Sequence, residues 1–130
     1  MASIVKELRV NAPVERVWDA VRDVGAIHQR LVPGFVADCR MDGDDARIVT
    51  FANGMTVREL IVDLDDEQRR LVWSARGGRL THHNAVLQVA PDGDGTRIGW
   101  TADLLPNEMK GAIEGMIEMG MGAMKKALEG

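Results

Sequence analysis

The sequence is poor in the residues that build several common kinds of site. It has one cysteine, Cys39, so no internal disulfide can form and nothing points to an oxidising compartment. Aromatic residues make up only 4% of the 130 residues and tyrosine is absent, so few bulky side chains can fill a core. No spacing of His and Cys supplies the four converging ligands of a structural zinc site, and we expect no metal.

Other absences concern partners and location. The net charge is −4, and this acidic balance argues against nucleic acid, because phosphate contacts need a basic surface. No apolar run reaches the roughly 18 residues that a membrane-spanning helix needs, so we expect no membrane insertion. The first residues lack a charged segment followed by an apolar one, which predicts no signal peptide and a cytoplasmic protein. No dinucleotide fingerprint or phosphate-binding glycine loop occurs, and no cofactor is expected.

What the sequence does contain is a series of strand and helix patterns. Alternating apolar residues at positions 4–10 predict a first strand. Two short helical patterns follow, one over positions 14–21 and one around Ile27 and Leu31. Period-two patterns then predict six strands, at positions 35–41, 47–51, 56–64, 70–76, 81–89 and 97–104. The breaks between them are short and polar, so neighbouring strands should pair antiparallel.

A last helix is predicted from about position 107 to 128, with Asn107 as its cap. Its apolar stripe consists of Met109, Ala112, Ile113, Met116, Ile117, Met124 and Leu128. Glycines at positions 111, 115, 120 and 122 are unfavourable in a helix, which indicates close approach to another backbone or a helix that flexes.

This order predicts one α+β domain over residues 1–130. A curved, seven-stranded antiparallel sheet wraps the long C-terminal helix, and two short helices follow the first strand. Large antiparallel sheets twist and curl, and a helix about 10 Å wide cannot fill the concave side of so wide a sheet. Unless large side chains fill the remaining space, we expect an apolar cavity of roughly 300–1,000 Å³.

Strand alternation predicts which side chains face that cavity. The predicted strand residues are Leu60, Val62, Leu71, Trp73, His83, Ala85, Leu87 and Trp100. The helix would add Met109, Ile113, Met116 and Ile117. Methionine is flexible and suits an adaptable wall, but core packing explains the methionines and tryptophans equally well.

Two residues are candidates for acid–base chemistry. His83 shares a face with Ala85 and Leu87, which predicts His83 inward and His82 outward. An inward histidine can donate a hydrogen bond to a ligand or act as a general acid or base, although a wall histidine satisfied by a neighbour is the simpler interpretation. Glu59 would be a desolvated base if it faced inward. Alternation instead places it outward, paired with an arginine on a neighbouring strand, unless a bulge reverses that strand.

Three stretches resemble one superfamily. NAPVERVWDA at positions 11–20 resembles the first-helix signature of the START-like (SRPBCC) superfamily, which includes polyketide cyclase/dehydrase-like proteins and the birch pollen allergen family. Positions 57–78 and 91–106 resemble it as well, and positions 57–78 are also similar to the plant abscisic-acid receptors. The resemblance covers nearly the whole chain and implies the helix-grip fold. It does not settle function, because members bind, carry or modify many apolar molecules.

The resemblance also implies roles for particular residues. The hairpin around Gly77-Gly78 would lie at the pocket mouth, where Arg79 or Arg76 could hold a ligand carboxylate, although a solvated turn charge is simpler. Trp73 matches the position of an aromatic pocket residue in the abscisic-acid receptors.

Three functions are compatible with these patterns. The first is binding or carrying a small lipid-like or polyketide-like molecule, by a monomer or a homodimer. The second is a polyketide cyclase or dehydratase that uses a cavity histidine. The third is a co-chaperone-like interaction module, which predicts a packed interior and an exposed apolar patch.

The assignment of Trp73 to the cavity wall can be tested by substitution. Trp73→Ala is expected to change the binding of a fluorescent apolar probe more than Trp18→Ala does, because Trp18 belongs to a short helix away from the predicted wall. Probe titrations of the two variants measure this. Equal effects would contradict the wall assignment.

Overall fold

The computed structural model describes residues 1–130, and its centre is a seven-stranded antiparallel sheet curved around one long helix. The elements are β1 (Ala2–Val10), α1 (Val14–Arg22), α2 (Ile27–Arg30), β2 (Val36–Met41), β3 (Ala46–Phe51), β4 (Thr56–Asp65), β5 (Arg70–Arg76), β6 (His82–Asp92), β7 (Gly95–Leu105) and α3 (Lys110–Glu129). The predicted helix-grip α+β architecture is confirmed, and each predicted strand end lies within three residues of the observed one.

The strand order is β1-β7-β6-β5-β4-β3-β2, with every pair antiparallel. Strands β2 to β7 therefore follow one another through hairpins, whereas β1 pairs with β7 at the far edge. The chain between β1 and β2 must cross from one edge of the sheet to the other, and α1 and α2 form this crossing. No helix is both long enough and apolar enough to span a bilayer.

Helix α1 attaches to the turn between β4 and β5 through its buried face. The Trp18 indole N–H donates to Asp66 at 2.8 Å, and Arg22 Nε donates to the same carboxylate at 2.7 Å. These two contacts lower the pKa of Asp66, with the arginine contributing most. Trp18 thus belongs to the core at this end of the sheet.

The predicted cap of the last helix is wrong. Asn107 begins a 3-10 turn, Asn107–Met109, and α3 follows from Lys110 with no side chain capping it. Pro106, which lacks an N–H, occupies the cap position of this turn.

Helix α3 is anchored to the core by its second half. Its buried residues are Ile117, Gly120, Met121, Met124 and Leu128. Residues 110–116 include none that is buried. At the surface, Lys6 of β1 forms ion pairs with Glu114 in this first half at 3.1 Å and with Glu118 in the second half at 3.3 Å.

Strand β4 contains a bulge that reverses its predicted orientation. Ile61 pairs with Trp73 and Asp63 with Val72, which leaves Val62 as an extra, unpaired residue. Val62 is 58% exposed. The prediction that Leu60 and Val62 face the cavity is therefore wrong. It assumed strict alternation along β4 up to Leu64, and the bulge moves the residues before it to the opposite face.

The helix glycines differ in their surroundings. A Cβ at Gly120 would lie 3.0 Å from Cζ3 of Trp100 and 3.3 Å from Cε2 of Phe35, whereas a Cβ at Gly111, Gly115 or Gly122 would meet nothing within 4 Å. The expected close approach exists only at Gly120, and it is to aromatic side chains and not to another backbone.

This difference predicts opposite substitution effects. Gly115→Ala is expected to raise the free energy of unfolding by about 0.5–1 kcal/mol, since alanine has the higher helix propensity and the site is open. Gly120→Ala is expected to be about 1 kcal/mol less stable than Gly115→Ala, because the new methyl group must displace Trp100 or Phe35. Urea unfolding of both variants measures the difference, and equal stabilisation would show that the helix does not press on Trp100.

Candidate functional site

A cavity of about 120 Å³ lies between the concave face of the sheet and α3. Of its 22 lining residues, 19 are hydrophobic. It is smaller than the predicted range because aromatic side chains occupy much of the space. The rings of Trp73 and Trp100 meet edge to face there, with their centroids 5.7 Å apart.

Most of the predicted lining residues do face this cavity. They are Leu71, Trp73, His83, Leu87, Trp100, Ile113, Met116 and Ile117. Their contact with a ligand stays a prediction. The inward orientation predicted for His83 is present, with His83 only 8% exposed.

Three further predicted residues lie elsewhere. Ala85 is the cross-strand partner of Trp73 and is buried in the core, but it does not line the cavity. Met109 precedes α3 in the 3-10 turn and only packs against the core. Arg79 is exposed on the β5–β6 hairpin and does not line the cavity, although the adjacent Leu80 does.

Sequence reasoning missed other lining residues, of which Arg47 is the most informative. Arg47 is 3% exposed and lines the cavity. It shares a strand face with Val49 and Phe51, which also line the cavity, so alternation along β3 was the signal for it. Further missed lining residues are Ile27, Leu31, Val32, Val36, Met55, Val57 and Ala75.

Glu59 faces inward, so its predicted outward orientation is wrong. It is 7% exposed, and the bulge at Val62 explains the reversal. The predicted pairing with an arginine on a neighbouring strand is present, because Arg47 Nε donates to Glu59 Oε1 at 2.8 Å across the β3–β4 ladder. Arg47 Nη1 also donates to the carbonyl of Val24 at 3.1 Å. Both charges are thus buried together in the cavity wall.

These groups form a row across four strands, which we call the polar row: Arg47, Glu59, Ala75 and His83. Arg47 is the cross-strand partner of Glu59, and Glu59 is the partner of Ala75. The backbone N–H of Ala75 then donates to Nδ1 of His83 at 2.9 Å. Arg47, Glu59 and His83 are the three lining residues that are not hydrophobic, so all polarity of the cavity is concentrated in this row.

The hydrogen bond to Nδ1 determines the state of His83. Because Nδ1 accepts the Ala75 N–H, a neutral ring carries its proton on Nε2. Burial, followed by the nearby charges of His82 and Arg76, lowers the pKa of His83 to about 4. Near neutral pH this histidine is therefore a hydrogen-bond donor, and its only basic nitrogen is engaged by the backbone.

At the β3–β4 hairpin the cavity is lined by Met55, which is 41% exposed. Phe35 and Phe51 meet edge to face at 5.3 Å, and both line this cavity and a second, smaller space of about 70 Å³. Met116 borders both spaces, and Met119, which lines the smaller one, is 66% exposed. Ile113 and Met116, from the half of α3 without buried residues, are only half-buried where they line the cavity.

No other cluster offers comparable chemistry. No group of three or more His, Cys, Asp and Glu side chains converges in the structure. Cys39 is buried, burial raises its thiol pKa, and its Sγ donates to the carbonyl of Val24 at 3.6 Å. Such a thiol is a poor nucleophile.

A curved sheet, a gripping helix and an apolar cavity between them define a START-like protein. Residues 1–129 match the family described as polyketide cyclase / dehydrase and lipid transport. The chain belongs to this family, within the SRPBCC superfamily.

Solved structures agree with this assignment. A solution NMR structure from Thermobifida fusca is 30% identical and superposes with a TM-score of 0.78, over 99% of this chain and 91% of the other. A crystal structure from Bacillus thuringiensis has a TM-score of 0.86 at 16% identity, covering 98% of both chains. A point mutant of norcoclaurine synthase from Thalictrum flavum, in complex with a transition-state analogue, has a TM-score of 0.73 at 23% identity, over 98% and 93%. A comparison with curated proteins finds no match.

The state of His83 predicts a pH dependence of stability. Since its folded pKa of about 4 lies below the unfolded value of 6.5, the unfolded chain binds the extra proton first. The stability linked to the neutral state of His83 is fully present above pH 6.5 and is lost as the pH falls towards 4. The loss amounts to at most about 3 kcal/mol.

Urea unfolding between pH 4 and 7 should therefore show a steeper loss for the wild type than for His83→Gln, since carboxylates act equally in both. An NMR titration of the His83 ring protons provides an independent measurement. A titration midpoint near 6.5 would contradict the depressed pKa.

Proposed function

We propose that this protein binds or carries a small hydrophobic molecule in the cavity between the sheet and α3, as a single ligand-binding domain over residues 1–130. The observation that carries the proposal is an apolar cavity whose wall includes the flexible side chains of Met55 and Met116 and the half of α3 that has no buried residue. Removing the apolar surface of a ligand from water contributes roughly 25 cal/mol per Å² of favourable binding free energy.

The cavity volume limits the ligand. An apolar cavity of about 150 Å³ in another protein stays dry and binds benzene. A volume of about 120 Å³ thus accommodates one ring or a short branched chain. A longer molecule would have to displace Ile113 or Met116. These side chains are half-buried and can move more readily than Ile117, which is buried in the core.

The enzymatic alternative, a cyclase or dehydratase, receives less support. Proton transfer needs an acid or base within reach of the substrate. The basic nitrogen of His83 accepts a backbone N–H, and one oxygen of Glu59 accepts from Arg47. Glu59 Oε2 is then the single remaining base in the cavity. The interaction-module alternative predicts a packed interior, and the cavity argues against it.

Native mass spectrometry of the freshly purified protein is the direct test. We expect a fraction of the molecules to carry an added small mass that is removed by extraction with organic solvent. The extracted protein should then bind p-xylene, as followed by chemical-shift changes at Trp73 and Met116. Absence of both a bound mass and p-xylene binding would overturn the proposal.

A filled cavity should abolish this binding. Ala75→Phe places a ring in the cavity and is expected to weaken p-xylene binding at least about tenfold, because the ligand and the new ring need the same space. Ala112→Phe, at an exposed site on α3, is the matched control and should bind as the wild type does. Equal affinities of the two variants would place the ligand outside the cavity.

A further inference from the structure

We infer that the polar row selects a neutral ligand that carries a hydroxyl group, held above Ala75 between Glu59 and His83. This inference rests on the proposed function and names the chemistry of the ligand's polar end. The apolar part of the molecule would lie against Trp73, Trp100 and the methionines of α3.

The polar row leaves an open position in the cavity wall between Glu59 and His83. Glu59 and His83 belong to β4 and β6, and Ala75 lies between them on β5. Two strand spacings separate the backbones of Glu59 and His83 by about 10 Å. Ala75 has the smallest side chain of the three and lines the cavity itself, so the longer side chains on each side flank an open position.

The free atoms of this row are complementary to a hydroxyl. Glu59 Oε1 accepts from Arg47, which leaves Oε2 as a free acceptor. His83 Nδ1 accepts from Ala75, which leaves Nε2–H as a free donor. His28 Nδ1 is the only side-chain nitrogen or oxygen that is both fully buried and without a hydrogen-bond partner. Glu59 Oε2 and His83 Nε2 also have no partner, so they are not fully buried and must border open space. A hydroxyl can donate to the first and accept from the second.

Charge excludes anionic ligands from the same position. Arg47 and Glu59 are 3% and 7% exposed and neutralise each other at 2.8 Å. A ligand carboxylate would be buried beside Glu59, whose like charge repels it, and would have to compete with Glu59 for Arg47. Burying an ion without a free partner is strongly unfavourable. A neutral hydroxyl satisfies both free atoms without adding charge.

Three probes of nearly equal shape test the inference: p-cresol, p-xylene and p-toluate. NMR chemical-shift titrations of the wild type should give an affinity about tenfold higher for p-cresol than for p-xylene, since p-xylene leaves both polar atoms unpaired. p-Toluate should bind more weakly than either. Equal or stronger binding of p-xylene or p-toluate relative to p-cresol would overturn the inference.

Two variants separate the partners. His83→Leu should markedly reduce the preference for p-cresol over p-xylene, because only the hydrogen bond to Glu59 remains, whereas His82→Leu, on the outward-facing neighbour, should preserve the tenfold preference. Glu59→Gln leaves Arg47 without its counter-charge, so p-toluate should gain at least about tenfold in affinity. If His83→Leu fails to fold, the p-toluate affinity of Glu59→Gln still tests the inference. An unchanged p-toluate affinity would contradict the role of the ion pair in excluding a carboxylate.

The outcomes distinguish this inference from the proposed function. Binding of p-xylene without a preference for p-cresol refutes the hydroxyl site and leaves the apolar cavity function intact. If neither p-xylene nor p-cresol binds, the proposed function fails, and the hydroxyl site fails with it.

Discussion

A single helix has to cover the concave face of a seven-stranded sheet, and most features of the molecule follow from this constraint. The sheet curls because antiparallel strands twist, and it is wider than the helix that it grips. Trp73 and Trp100 take up part of the remaining space, and the cavity is what they leave. The helix packs tightly on Trp100 at Gly120, where an added Cβ would lie 3.0 Å from the indole ring.

The polar row is the one departure from an otherwise apolar cavity lining. Burying Arg47 with Glu59 brings little net stability, because desolvation of two charges opposes their attraction. Removing either partner alone would leave an uncompensated charge inside. Arg47 also lies over the Trp73 ring, with its guanidinium carbon 5.7 Å from the ring centroid, so the ion pair and the aromatic wall position each other. The row thereby fixes which part of the cavity is polar.

The fold could be predicted from the sequence because its signals are local. Turn residues between period-two segments define hairpins, and hairpins joined in series define an antiparallel sheet. The site was less predictable because one residue decides a whole strand face. Val62 is the extra residue of the β4 bulge, and it reverses the predicted orientations of Glu59 and Leu60 as well as its own.

No orientation was predicted for Arg47. Its alternation with Val49 pointed inward, and only the cross-strand register shows that Glu59 compensates its charge. Trp73 and His83, whose inward orientation was predicted correctly, lie on β5 and β6, and these two strands pair with each other and β6 pairs with β7 without a shift in register. Cavity volume was beyond reach because it depends on side-chain packing in three dimensions.

The two halves of α3 differ in how deeply they are buried. Ile117, Met121, Met124 and Leu128 hold the helix in the core, while Ile113 and Met116 border the cavity and are only half-buried. Exchanges at Ile113 and Met116 therefore alter the shape of the cavity while touching little of the packing that keeps the chain folded. Relatives of such a protein can come to differ in cavity shape through substitutions in this one helical segment, without first acquiring a reserve of stability.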